Sequence, residues 1–145
     1  CLSVEEKLSA NYNFENAAKT WLDEIKNSNA ILDANNPNEI IKTQEYIKSH
    51  ELNINQVRIR ISRAITGAAK ALLDAGLEAR LMCVGGDTLL ALTQRVGVSE
   101  LVPLCEISKG VVLTSFNYDG KKYFTMTKSG GFGEPELLVK LAGKI

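Results

Sequence analysis

Net charge, long apolar runs and grouped metal ligands are all missing from this sequence. Lysine plus arginine number 17 and aspartate plus glutamate also 17, so no overall field draws the chain to nucleic acid or to an anionic membrane. No apolar run approaches the roughly 20 residues that a membrane-spanning helix needs. The three cysteines, Cys1, Cys83 and Cys105, are an odd number without metal-ligand spacing, which implies reduced thiols in a cytoplasmic protein rather than a disulfide frame. Cys83 and Cys105 lie in apolar runs and read as buried small hydrophobes, not as nucleophiles. The lone His50 has no second histidine or neighbouring cysteine with which to share a metal, and reads as a helix-end residue. No aromatic residues interleave with Arg58, Arg60, Arg63 and Lys70, so their helix face is read as solvated rather than as a nucleic-acid surface. The chain starts at Cys1 without a methionine or a signal-peptide pattern, and is expected to be a piece of a larger protein.

What is present suffices for one domain over residues 1–145, with 45% hydrophobic residues to build its core. Phe14, Ala17, Ala18, Trp21, Leu22 and Ile25 recur at helical spacing, so a helix spans about 14–27, with Trp21 as a core anchor. The polar start before Phe14 reads as a linker. Residues 29–34 read as a strand ending at Asp33, which either faces a ligand at the strand end or stabilises a turn. Asn36, Pro37 and Glu39 open a helix that closes near His50. Asn53 and Gln56 have capping-box spacing for a longer helix whose apolar stripe runs to Gly76. Strands follow at 80–84, 101–107, 111–116 and 122–127, with Asp119-Gly120 as a hairpin turn, and Leu137 to Leu141 suggest a closing helix. The fold class is α/β: a three-layer α/β/α sandwich with a mixed, largely parallel sheet ending in a β-hairpin.

Two glycine-rich turns carry the chemistry. Gly85-Gly86-Asp87-Thr88 follows an apolar strand and opens a helix with Leu89, Leu92 and Val96 at helical spacing. Amides at a helix start lack intrahelical partners and carry the positive end of the helix dipole, so such a turn suits an anion. Glycines remove the Cβ atoms that would hold a phosphate away from the backbone. The competing reading is plain connectivity, with glycine for turn geometry and Asp87 or Thr88 as an N-cap. The second turn, Lys128-Ser129-Gly130-Gly131-Phe132-Gly133, adds a cation, a hydroxyl and further close-approach positions; its plain reading is a flexible loop before the last helix. Neither turn is a Walker A or a dinucleotide fingerprint.

Taken together the two turns resemble the C-terminal, nucleotide-binding half of the four-carbon acid sugar kinases, which phosphorylate threonate, erythronate or 3-oxo-tetronate with ATP. Gly85-Gly86-Asp87-Thr88, Gly97, Glu106-Ile107, Gly110-Val111 and Lys128-Ser129-Gly130-Gly131-Phe132-Gly133 stand in the family's order and at about its spacing. The resemblance covers roughly residues 53–145 in detail and the first fifty in general layout. Leu89 stands where the family often has a small residue, and Gly131 where it commonly has asparagine. The family's N-terminal acid-sugar half has no counterpart in these residues.

The resemblance implies ATP and Mg²⁺ as cofactors and a nucleotide site made of Gly85, Gly86, Asp87, Thr88, Lys128, Ser129, Gly130 and Gly131. In that reading Thr88 and Ser129 give hydroxyls, Lys128 offsets phosphate charge and Asp87 contacts magnesium-bound water, with no residue set ligating a metal on its own. The acid sugar and the catalytic base belong to the missing half, and the chain alone is expected to be inactive. A homodimer is expected if apolar surface normally covered by that half is exposed. The alternatives are a non-catalytic nucleotide- or anion-sensing module, and a structural α/β module whose glycines serve turn geometry alone.

Overall fold

A capping box starts the first helix. In the computed structural model, which describes every residue except Asn27, Phe132, Lys144 and Ile145, the Ser3 side chain accepts from the Glu6 amide and the Glu6 carboxylate accepts from the Ser3 amide at 2.7 Å. Two amides that a helix start leaves without partners are thereby satisfied. Helix α1, Val4–Leu8, follows, and Leu2 just before it and Leu8 at its end are fully buried. The expected linker before Phe14 is thus corrected in part: burying two leucines, each worth about 1.5–3 kcal/mol, fixes this segment.

Contacts divide the chain into two units, Cys1–Ala75 and Gly76–Ile145. The first is helical: α1, α2 (Glu15–Ile25), a 3-10 turn (Pro37–Glu39), α3 (Ile40–Ser49) and α4 (Ile54–Asp74). Asn53 and Gln56 form the capping box their spacing predicts, with reciprocal bonds of 2.9 and 3.0 Å, and α4 runs to the position before Ala75 and Gly76. Ala64 and Ala68 let α4 approach closely, and Leu2, Phe14, Trp21 and Leu32 pack against them. Phe14 also meets Tyr12 and Trp21 ring to ring, with centroids 4.8 and 6.1 Å apart. Arg60 donates to the Leu8 carbonyl at the end of α1 over 2.7 Å.

The strand expected at 29–34 does not form. These residues run without a ladder partner, joined by the Leu2 amide donating to the Asp33 carbonyl at 2.7 Å, and Ile31 is 86% exposed. Their apolar run has helices rather than strands to meet in its own unit, so Leu32 joins the helical cluster instead.

The second unit holds the sheet, in the order β1-β4-β3-β2: β1 Leu81–Val84, β2 Val102–Ser108, β3 Val111–Tyr118 and β4 Lys121–Lys128. It is mixed, as expected, but one pairing of three is parallel, β1 with β4, while β2–β3 and β3–β4 are antiparallel. The parallel part is small because helix α5, Gly86–Val96, makes the one crossover and two tight hairpins do the rest. The hairpin at Asp119-Gly120 has both residues at positive φ, as a two-residue turn between twisted strands requires. Helix α6, Leu137–Ala142, lays Leu137 and Leu141 on the face formed by Met82, Val111, Leu113 and Met126. Cys105 is exposed on the edge strand β2, not buried as its apolar run suggested. Among the described residues no helix is long and apolar enough to cross a membrane.

Candidate functional site

Parallel pairing brings the carboxyl ends of β1 and β4 side by side, with Val84 opposite Lys128. The chain leaves β1 through Gly85 and leaves β4 through Ser129, so the two glycine-rich turns emerge as neighbours. The Gly85 amide donates to the Lys128 carbonyl over 2.9 Å and ties them together. In parallel α/β sheets this end of the strands is where ligands bind.

Gly85 sits at φ +99, ψ 131, a conformation that a side chain would strain, and serves as the N-cap of α5. The first intrahelical bond runs from the Leu89 amide to the Gly85 carbonyl at 3.2 Å. The amides of Gly86, Asp87 and Thr88 therefore have no intrahelical acceptor, and no side chain caps them. Asp87 stands at the second helical position, exposed, so its reading as an N-cap does not hold. Thr88 is half-buried, with its hydroxyl oxygen 3.7 Å from where a Gly85 Cβ would lie.

Lys128 is the cation of the second turn and is 9% exposed. Its ammonium donates to the Ser129 carbonyl at 3.0 Å and the Gly130 carbonyl at 3.1 Å. Two of its three donors are used inside its own turn, so its first task is to shape that turn; its charge still lies beneath it. With those carbonyls drawn toward the ammonium, the exposed Ser129, Gly130 and Gly131 form the outer rim. Phe132 lies outside the described residues. Gly86, Gly130 and Gly131 each have nothing within 4 Å of a Cβ built on them. These three positions therefore open to solvent without a side chain over their backbone.

The other residues that carry the resemblance, Glu106-Ile107 and Gly110-Val111, fall on the β2–β3 hairpin, and its turn meets the second glycine-rich turn through the Ser129 amide, which donates to the Gly110 carbonyl at 3.3 Å. A cleft of about 550 Å³ lined by Ser108, Lys109, Gly133, Glu134, Leu137 and Lys140 adjoins that turn. A second cleft of about 560 Å³ lies at residues 77–80 and 121–124, the amino ends of β1 and β4. Size does not separate the two; position favours the first. Lys109 and Lys140 belong to no spaced motif of the sequence.

Asp33 bonds the Asn35 amide through its side chain at 2.9 Å, which is the turn-stabilising role. Cys83 is buried beside Thr125; burial pushes its thiol up, the Thr125 hydroxyl opposing, so it stays protonated at neutral pH and is no nucleophile. Among the described residues no group of three or more His, Cys, Asp or Glu side chains could hold a metal ion.

A family model described as a nucleotide-binding C-terminal domain matches residues 2–138, well beyond the stretch in which the sequence itself was distinctive. Among solved structures, the chain is similar to a Haemophilus influenzae protein of the DUF1537 family, with 21% identity, a TM-score of 0.68, and coverage of 99% of this chain and 33% of that one. A Salmonella typhimurium LT2 protein, provisionally described as a tRNA synthase, gives 20% identity, a TM-score of 0.64, and coverage of 97% and 33%. A Bordetella bronchiseptica domain of unknown function (DUF1537), solved with bound citrate as a domain-swapped dimer, gives 28% identity and a TM-score of 0.51 over 57% of this chain and 21% of that one. The chain spans a third or less of the length of these solved proteins. No curated protein matches it. The two glycine-rich turns thus lie within an independent match over most of the sequence: the chain belongs to the nucleotide-binding C-terminal domain family.

Proposed function

We propose that this chain is the ATP-binding domain of a kinase that transfers the γ-phosphoryl group of ATP to a four-carbon acid sugar, with the sugar site in a domain outside these residues. The observation that carries this reading is the pairing of the two glycine-rich turns at the carboxyl ends of β1 and β4, tied by the 2.9 Å bond from Gly85 to Lys128. In it, the amides of Gly86, Asp87 and Thr88 and the rim Ser129-Gly130-Gly131 grip phosphate oxygens, with the Thr88 and Ser129 hydroxyls adding donors. Lys128 lends positive charge from beneath. Phosphoryl transfer depends mostly on positioning and charge stabilisation, so a domain without a nucleophile can supply much of it.

Magnesium fits the donor set in the way a nucleotide carries it. Mg²⁺ keeps several waters and takes one or two carboxylates plus phosphate oxygens, so the exposed Asp87 beside Thr88 is enough although no cage of acids stands among the described residues. When bound, it neutralises phosphate charge. The cleft between Lys109 and Lys140 is the place for the rest of the nucleotide.

Calorimetric titration with ATP and ADP in the presence of Mg²⁺ tests this reading. Sub-millimolar binding is expected from the chain itself. A chain that binds neither nucleotide, alone or after a sugar-binding N-terminal half is added back, would overturn it. Self-association belongs to the same proposal: β2 is an edge strand with Val102 and Leu104 45% and 46% exposed, and sedimentation velocity over a wide concentration range should show a dimer.

A further inference from the structure

We infer that Glu106 is a positioning residue for the second glycine-rich turn, acting through Gly110; this rests on the reading of that turn as a nucleotide site. Between β2 and β3 the register shifts, with Glu106 opposite Val112 but Ser108 opposite Val111, so Ile107 is an extra residue on β2. A bulge of this kind bends its strand and re-aims the neighbouring side chains. Here the Glu106 carboxylate turns back over the hairpin and accepts from the Gly110 amide at 3.2 Å. The Gly110 carbonyl in turn accepts from the Ser129 amide at 3.3 Å, and Val111 stands opposite Lys128 in the ladder. A path of two hydrogen bonds through Gly110 thus runs from Glu106 to the first residue of the Ser129-Gly130-Gly131 rim.

Glu106 carries the same sign of charge as the phosphate proposed for the neighbouring turn. A carboxylate close to a phosphate site repels the ligand, so an acid here is a cost to affinity unless its acceptor oxygen does something a neutral side chain at that position does not. Holding the Gly110 amide is that task. Without it the Lys109-Gly110 turn is free to tilt, and the carbonyl that fixes Ser129 tilts with it. The prediction separates acceptor from charge: glutamine keeps an oxygen in the same place and removes the repulsion, whereas alanine removes both.

The experiment is amide hydrogen exchange by NMR together with ATP titration on the wild-type chain, Glu106→Gln and Glu106→Ala. In Glu106→Ala the Ser129 amide should exchange about tenfold faster, one decade being about 1.4 kcal/mol of lost protection, while the Thr125 and Met126 strand amides keep their rates. ATP affinity should fall about three- to tenfold, and Glu106→Gln should match the wild type in exchange and equal or exceed it in affinity. Unchanged Ser129 exchange in Glu106→Ala would overturn the inference whether or not nucleotide binds. So would a Glu106→Gln variant as impaired as Glu106→Ala, which would mean that the charge matters, or full ATP affinity in Glu106→Ala. A wild-type chain that binds no ATP would instead sink the nucleotide reading, and the exchange data would still decide whether Glu106 sets the turn.

Discussion

The double variant Gly86→Val, Gly130→Val is expected to lose nucleotide binding while keeping its fold. Neither glycine has a positive φ, and neither has a heavy atom within 4 Å of the place a Cβ would occupy. Gly86 is the first residue of α5, where valine is intrinsically the better helix former by a few tenths of a kcal/mol. Stability should therefore stay within about 1 kcal/mol of the wild type. The isopropyl groups would instead fill the space that phosphate oxygens need in order to reach the amides of α5 and of the Ser129 rim. Hydrogen bonds to a charged group are worth about 1.5–3 kcal/mol each, so losing even one or two weakens binding by at least about tenfold. Calorimetry with MgATP, paired with a thermal melt, reads both quantities. A folded variant that binds as tightly as the wild type would move the nucleotide away from these turns.

This contrast divides the glycines of the site by task. Gly85 and Gly133 have conformations that side chains strain, at φ +99 and +104, whereas Gly86, Gly130 and Gly131 adopt ordinary backbone and face open space. Plain connectivity explains the first pair. It does not explain the other three, since any small residue would satisfy turn geometry at those positions. That is the physical argument against a purely structural module.

Much of this arrangement was legible in the sequence, and the reasons for the remainder are local. Asn53 and Gln56, Asp119-Gly120, and the strand–Gly-Gly–helix pattern at 81–96 are short-range signals, and each produced its element. Ser3 and Glu6 carry an equally local signal, a capping box just before Leu8, which the polar residues beyond it mask. The strand expected at 29–34 failed for a different cause. An apolar run specifies burial but not a ladder partner, and in a helical unit Leu32 finds helix side chains while Ile31 stays in solvent. Cys105 shows the same limit, since consecutive residues 102–106 are all exposed and so neither face of β2 is covered there. The Glu106 to Gly110 to Ser129 path depends on a bulge, and a one-residue register shift leaves no mark in hydrophobic periodicity.

Gly133→Ala should destabilise the second unit strongly for so small a change. A Cβ at this position overlaps the Cδ2 atom of Leu137 and lies 3.5 Å from its Cβ and Cγ. Leu137 cannot simply swing aside, because it packs with Leu141 against Val111 and Met126 and so helps seat α6 on the sheet. Backbone strain at positive φ costs about 1–3 kcal/mol and overpacking about 1–3 kcal/mol more, so a total near 3 kcal/mol is expected. Urea titration should show it as a lower midpoint with an unchanged slope. Trimming the obstacle separates the two costs: in Gly133→Ala, Leu137→Ala the overlap is gone and the strain remains. The double variant should then lose less than the sum of the single changes, by about 1–2 kcal/mol. Strict additivity would show that Leu137 does not confine residue 133. A neutral Gly133→Ala would show further that the turn has freedom to move, and a turn that moves cannot hold the Ser129 rim against the start of α5 as phosphate binding requires.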